Sequence, residues 1–198
     1  MKMRRVKGTA GLQGNATGLR GIRTPAGDGP TAPSLNPGPP PASSSPFANA
    51  RQISNRDAFT ILSNSLGRLV SPDDFLNRTI LADNNYLETP PDFVLNAILT
   101  DPVLSPQSYH ADIFDCDDYV QYLKTKMSLY AAANLLPAPL AVGYLLTTEH
   151  AFSFCIGPGS QLFLINTQST GHDITSDLAT FSSFLNLKPG NTINIIYL

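Results

Sequence analysis

Residues 114–168 read FDCDDYVQYLKTKMSLYAAANLLPAPLAVGYLLTTEHAFSFCIGPGSQLFLINTQ, and the apolar period changes once along that stretch. After Asp115, the residues Cys116, Val120, Leu123, Met127 and Tyr130 fall on one helical stripe, with Gln121, Lys124 and Ser128 on the other. Pro137 and Pro139 stop that helix. Leu140 to Thr147 and Glu149 to Ile156 then alternate as strands across a very short turn, and Gln161 to Thr167 forms a third strand after the GPGS turn at 157–160. One long helix therefore feeds an antiparallel meander.

Working outward, Ala58, Ile61, Leu62, Leu66 and Leu69 recur at helical spacing, with Ser54 or Asn55 placed to cap the start. A second helix is expected after SPDDF, where Pro72 suits a first turn and Asp73 and Asp74 suit the positive end of the dipole. PPDFVLNAILT (90–100) supplies a third, ended at Asp101-Pro102. Downstream, Asp173 to Leu185 reads as a helix outside the sheet, Lys188-Pro189-Gly190 as a turn, and TINIIYL (192–198) as a last strand. Helices first and antiparallel strands after give an α+β domain, a helix packed on an antiparallel sheet.

The chain of 198 residues, 42% hydrophobic, holds one ordinary domain plus a segment without a core. Residues 1–55, rich in proline and glycine and including NPGPPPASSSP (36–46), lack apolar periodicity and read as a disordered basic tail. Residues 56–198 form the domain, with 56–105 a helical lead-in and 106–198 the long helix and sheet. Seven Lys or Arg stand against Asp28 alone through Arg51, a balance of +6, which leaves six bases against fourteen acids, −8, for the remainder. The tail's arginines lie among glycines without interleaved aromatics, so nucleic acid is not the expected partner, whereas a docking or secretion partner fits. MKMRRVKG is followed by no apolar run of signal-peptide length and no stretch spans a membrane. Two cysteines make no disulfide framework, which points to thiols in a reducing compartment, cytoplasmic when made.

The order cysteine at a helix start, histidine on a strand, then Asn on the next strand is a layout for thiol nucleophilic chemistry. A cysteine attacks as thiolate, and a free thiol with a pKa of about 8.5 is mostly protonated at neutral pH. A first-turn position favours the anion through unpaired N–H groups and the macrodipole, with Asp115 as N-cap and the Cys116 N–H as one oxyanion donor. Asp117 and Asp118 oppose the thiolate, so a base is required, and His150 supplies it from a strand it shares with Phe152 and Phe154 on one face. Cys155 has the opposite parity and reads as an inert small hydrophobe. Asn166, a polar residue ending the apolar run LFLIN, is the group that orients the imidazole, with Gln168 in reserve. Gln107 and Tyr109 are candidates for the second oxyanion donor, while His110 and His172 have no matching partner.

At these residues the chain resembles the papain-like superfamily in its transglutaminase-like branch. Cys116-Asp117-Asp118-Tyr119 is similar to the Cys-(Asp/Glu)-Asp-(Phe/Tyr) opening of bacterial transglutaminase-like cysteine proteinases. Phe114 to Tyr119, His150-Ala151 and Asn166-Thr167-Gln168-Ser169 also resemble the protease domain of a fungal chimeric lectin type, in which the last motif begins with an acid. The likeness covers 114–169. It implies a papain-like core, and some relatives need calcium, which makes Asp117 and Asp118 candidate ligands; no other cofactor is expected. The NlpC-type cell-wall endopeptidases share the Asp-Cys opening, but the block before their histidine is missing here.

The expectation that follows is a cysteine hydrolase, a thiol-dependent amide hydrolase or protease with Cys116, His150 and Asn166 as its triad and a thioester intermediate. Its substrate would be protein, peptide or peptidoglycan. Transglutamination and glutamine deamidation are alternatives on the same residues. A non-catalytic interaction module of the same fold is a reading from another class, and the tail is compatible with an effector or toxin exported by a dedicated system.

Overall fold

A computed structural model describes residues 45–70, 72–104, 115–167 and 173–198. Its centre is strand β5 (Ala151–Gly157), which follows β4 (Val142–Thr147) and precedes β6 (Gln161–Ile165). All seven residues of β5 are buried, so the sheet is covered on both faces. One face carries Phe152, Phe154, Ile156, Leu162 and Leu164 and meets α1 (Asn55–Leu66) through Ala58, Leu62 and Leu66. The other carries Val142, Cys155 and Ile165 and meets α3 (Pro91–Thr100) and α4 (Cys116–Ala133) through Val94, Ile98, Tyr119, Leu123 and Met127.

Six strands line up in the order β2-β8-β4-β5-β6-β7, where β2 is Thr79–Ile80, β7 is Ile174–Thr175 and β8 is Ile193–Tyr197. From β8 to β7 every pairing is antiparallel, and β2 joins β8 in parallel at the edge. Gly143 permits the tightest approach in the sheet, since a Cβ there would run into the Tyr197 carbonyl and the Phe154 ring. A separate two-stranded ribbon pairs β1 (Gln52–Ser54) with β3 (Asn85–Leu87). The mixed α/β class expected from the sequence is what forms, with helices α1, α2 (Pro72–Arg78) and α3 ahead of α4 and of every strand of the large sheet except its edge strand β2, which follows α2.

Local chemistry explains where elements begin and end. Ser54 caps α1 in a reciprocal box: its Oγ accepts the Asp57 N–H at 3.1 Å, and Asp57 Oδ2 accepts the Ser54 N–H at 3.3 Å. The expected helix over 173–185 shrinks to α5 (Phe181–Phe184). Short polar side chains take the backbone donors that a helix needs: Thr175 Oγ1 accepts the Asp177 N–H at 3.2 Å and Asp177 Oδ1 the Ala179 N–H at 3.0 Å. Between α3 and α4, the buried Asp101 accepts the Val103 N–H at 2.8 Å and the Tyr122 hydroxyl at 3.2 Å, and pairs with Lys126. That contact fixes the end of α3 against the middle of α4.

The N-terminal boundary lies earlier than expected. Residues 1–44 are outside the described residues, but 45–55, assigned above to the tail, are built into the domain. Phe47 is 5% exposed and meets the edge of Phe93 at a centroid distance of 4.9 Å and of Tyr130 at 6.0 Å. Arg51 pairs with the buried Glu88 at 2.6 Å, and Glu88 Oε1 also accepts the Ser160 N–H at 2.9 Å. Sequence periodicity misses this segment because one aromatic anchor and a three-residue strand carry no period. Phe47→Ala is expected to cost about 3 kcal/mol of unfolding free energy in urea titration, whereas a tail residue would cost nothing measurable.

Candidate functional site

The site is assembled where the first turn of α4 meets the start of β5. Asp115 stands at the N-cap with extended φ/ψ, its carbonyl accepts the Tyr119 N–H at 3.1 Å, and Asp118 Oδ2 reaches back to the Asp115 N–H at 3.3 Å. Cys116 is thus the first helical residue, half-buried, with its sulfur against the Ala151 N–H. Burial pushes the thiol up, the Ala151 N–H and the residue's own N–H pull it down, and the charges of Asp115 and Asp117 push it further up, leaving it above the ordinary range. The opposing acids are therefore Asp115 and Asp117 rather than the expected Asp117 and Asp118, because Asp118 is turned toward the N-cap. Asp117 is itself raised, first by its side-chain hydrogen bond to Asp115, then by burial and by the charges of Asp115 and Asp118.

His150 lies in the turn immediately before β5 rather than in mid-strand. Its Nε2 stands 3.3 Å from Asn166 Oδ1. A carboxamide oxygen only accepts, so an imidazole proton on Nε2 would satisfy it and leave Nδ1 as the acceptor nitrogen. The ring also meets Phe152 edge-on at 4.7 Å. Asn166 follows β6, and its backbone N–H donates to the Asp173 carbonyl at 2.9 Å. The structure thus links His150 to Asn166 directly, and places Cys116 against the residue after His150.

The face assignment needs correction. The helix bearing Cys116 packs on the Cys155 side of β5, not on the side of Phe152 and Phe154, which faces α1. With every residue of β5 buried, alternation has no solvent face to mark, and His150 in the turn is released from strand parity. Cys155 is fully buried and its thiol is pushed up to about 12 by burial. Gln107, Tyr109 and Gln168, along with His110 and His172, lie outside the described residues. Two contributors were missed by the sequence reading: the Ala151 N–H, which no side-chain pattern announces, and Thr147, which holds the His150 backbone.

For the calcium expectation, the donor atoms that converge are those of Asp115, Cys116 and Asp117, all within 4.8 Å of one another. Two carboxylates and a soft sulfur fall short of the about six to eight oxygens that calcium takes. Among the described residues the set does not fit that ion. A surface depression of about 710 Å³ is bordered by Phe59, Asn64, Arg68, Phe75 and Leu178, on the α1 side and away from Cys116. No helix among the described residues is long and apolar enough to cross a membrane.

The electrostatics are testable at once. Asp115→Asn or Asp117→Asn removes a charge that disfavours the thiolate, so the Cys116 pKa moves down and its iodoacetamide rate at neutral pH rises, as read by a pH–rate profile of alkylation. A profile that stays in place in both variants would contradict this account.

No family model matches the sequence, and no curated protein matches it. Solved structures do share the fold. One, titled "PSL1a-E64 complex", superposes with a TM-score of 0.56 at 16% identity over 74% of this chain and 51% of that chain. Another, the lectin of Polyporus squamosus bound to the human-type influenza-binding epitope Neu5Acα2-6Galβ1-4GlcNAc, gives 0.54 at 15% identity over 74% of this chain and 49% of that one. The chain spans about half the length of these neighbours. They correct the functional expectation. The expectation of a cysteine protease or amide hydrolase, drawn from the order of Cys116, His150 and Asn166, with its peptidoglycan, transglutaminase and deamidase alternatives and an effector or toxin role, gives way to a shared fold whose neighbours include a lectin solved with a glycan. Sharing it gives no warrant for cleaving protein, peptide or peptidoglycan, because function resides in a site and not in the fold that carries it.

Proposed function

We propose that Cys116, His150 and Asn166 form one reactive-thiol site and that the chain is an enzyme whose nucleophile is the Cys116 sulfur, on a papain-like core of the transglutaminase-like kind with α4 as the nucleophile's helix. The observation that carries the reading is the chain of contacts from Cys116 Sγ to the Ala151 N–H, and from the adjoining His150 Nε2 to Asn166 Oδ1 at 3.3 Å. A thiol raised by burial and by two acids needs a proton acceptor to react at neutral pH. His150 Nδ1 has the lone pair for that proton, and Asn166 holds the ring in the required tautomer. The Cys116 N–H at the helix start stabilises negative charge that develops on an attacked group.

The neighbour solved as a complex with E64 supports a reactive-thiol reading, since an epoxide such as E64 alkylates nucleophilic thiols. In such a step the sulfur bonds to one epoxide carbon, the carbon–oxygen bond at that carbon breaks, and the oxygen takes the proton that His150 received from the thiol. A second reading, glycan binding, is favoured by the lectin neighbour and its bound trisaccharide. The surface it would use is the depression where Asn64 and Arg68 stand beside Phe59 and Phe75, rather than the thiol.

Mass spectrometry of the full chain after treatment with E64 is expected to show a single adduct on Cys116 and none on Cys155. His150→Ala slows its formation about a hundredfold, the low end for loss of a positioned base. Labelling of Cys116 at the rate of an unstructured thiol, unchanged in His150→Ala, would sink the enzyme reading. Titration of Neu5Acα2-6Galβ1-4GlcNAc into the same preparation, followed by amide shifts at Asn64 and Arg68, decides the second reading.

A further inference from the structure

We propose that Thr147 is the positioning residue for His150, its hydroxyl fixing the backbone from which the imidazole projects; this rests on the reading of Cys116 and His150 as a reactive pair. Thr147 ends β4 and is 7% exposed. Its Oγ1 accepts the His150 N–H at 3.0 Å and the Glu149 N–H at 3.3 Å, and its hydroxyl donates to the His150 carbonyl at 2.9 Å. A hydroxyl has one donor and two acceptor positions, and this one uses all three. The Thr147 N–H donates to the same His150 carbonyl at 2.8 Å. Both backbone polar groups of His150 therefore end on a single residue.

The surrounding strands hold that residue in place. Between Leu146 and Thr147 the pairing with β8 shifts, one step along β4 matching two along β8, from Ile195 to Ile193. An irregularity of this kind bends the local chain and re-aims a side chain. Beyond it, the Thr148 N–H donates to the Thr192 carbonyl at 3.0 Å and the Thr192 N–H to Thr148 Oγ1 at 3.2 Å. Glu149 turns outward, its Oε2 3.3 Å from Lys188 Nζ and 3.3 Å from Asn186 Nδ2. The turn is thus tied to β8, to the 186–188 segment and to Thr147, and from it the ring of His150 reaches Asn166 and Phe152. Valine has the shape of threonine without the hydroxyl, so Thr147→Val leaves the packing of β4 and removes the acceptor of two N–H groups.

The experiment measures the rate of Cys116 alkylation by E64 against pH in wild type, Thr147→Val, Thr147→Ser and His150→Ala, with the thermal midpoint of each. Thr147→Val is expected to slow the reaction about tenfold or more, as a small misplacement of a reacting group does, and to shift the pH profile toward that of His150→Ala, while Thr147→Ser keeps the wild-type profile. A Thr147→Val protein that loses thermal stability yet keeps the wild-type rate and profile makes Thr147 a structural residue only and overturns the proposal. Wild type indistinguishable from His150→Ala is a separate outcome and removes the underlying site as well. Should Thr147→Val not fold, amide exchange in the native chain decides: His150 N–H protected alongside the β5 core is required, and rapid exchange overturns the assignment.

Discussion

Complete burial of β5 is the constraint on which the other features depend. A strand covered on both faces must be apolar at every position, and Ala151 to Gly157 meets that with a single unpartnered hydroxyl, Ser153. Two helical layers are needed to cover it, so the lead-in helix α1 is part of one core and the helix beginning at Cys116 is part of the other. Neither layer can be shifted without exposing the strand. The ends of β5 inherit that fixity: the Ala151 N–H, at one end, is held where the α4 first turn arrives, and the turn that carries His150 is tied to Thr147 and Thr192 by backbone hydrogen bonds.

At that junction opposing electrostatic effects are set against each other. Burial and the charges of Asp115 and Asp117 disfavour a thiolate, whereas two backbone N–H groups favour it. The raised Asp117 shows that the acids are crowded as well as adjacent, since it shares a hydrogen bond with Asp115 and feels its charge. A thiol in such surroundings stays protonated until a base takes the proton. In the proposed site Asn166 holds the His150 imidazole so that its other nitrogen can take that proton.

Much of this was legible in the sequence wherever a period ran long enough. The stripe Cys116, Val120, Leu123, Met127 predicted α4, and the alternation either side of Thr148 predicted the β4–β5 hairpin, because both depend on repeated burial. The residues Cys116, His150 and Asn166 could be singled out by their order, a cysteine at a helix start followed by a histidine and an asparagine on successive strand segments. What escaped notice is non-periodic. Phe47 is a lone anchor, β2 and β7 are two residues each, and 173–180 is shaped by side chains that compete with helical hydrogen bonds. The layer assignment failed for a different reason: parity separates core from solvent, and β5 has no solvent side. The motifs at 114–169 do resemble a fungal chimeric lectin type, but it is that type's protease domain they resemble, which points toward proteolysis, whereas the fold neighbours include a lectin solved with a glycan.

The central claim, that Asn166 holds His150 in one tautomer for the Cys116 proton, is tested most directly by ¹⁵N NMR of the His150 imidazole near neutral pH in wild type and in Asn166→Ala. The account predicts a neutral ring protonated on Nε2 in wild type, a shift of the Nδ1 signal when Cys116 is alkylated, and loss of the single tautomer in Asn166→Ala. A ring protonated on Nδ1, or one whose signals ignore both the alkylation and the substitution, would contradict it.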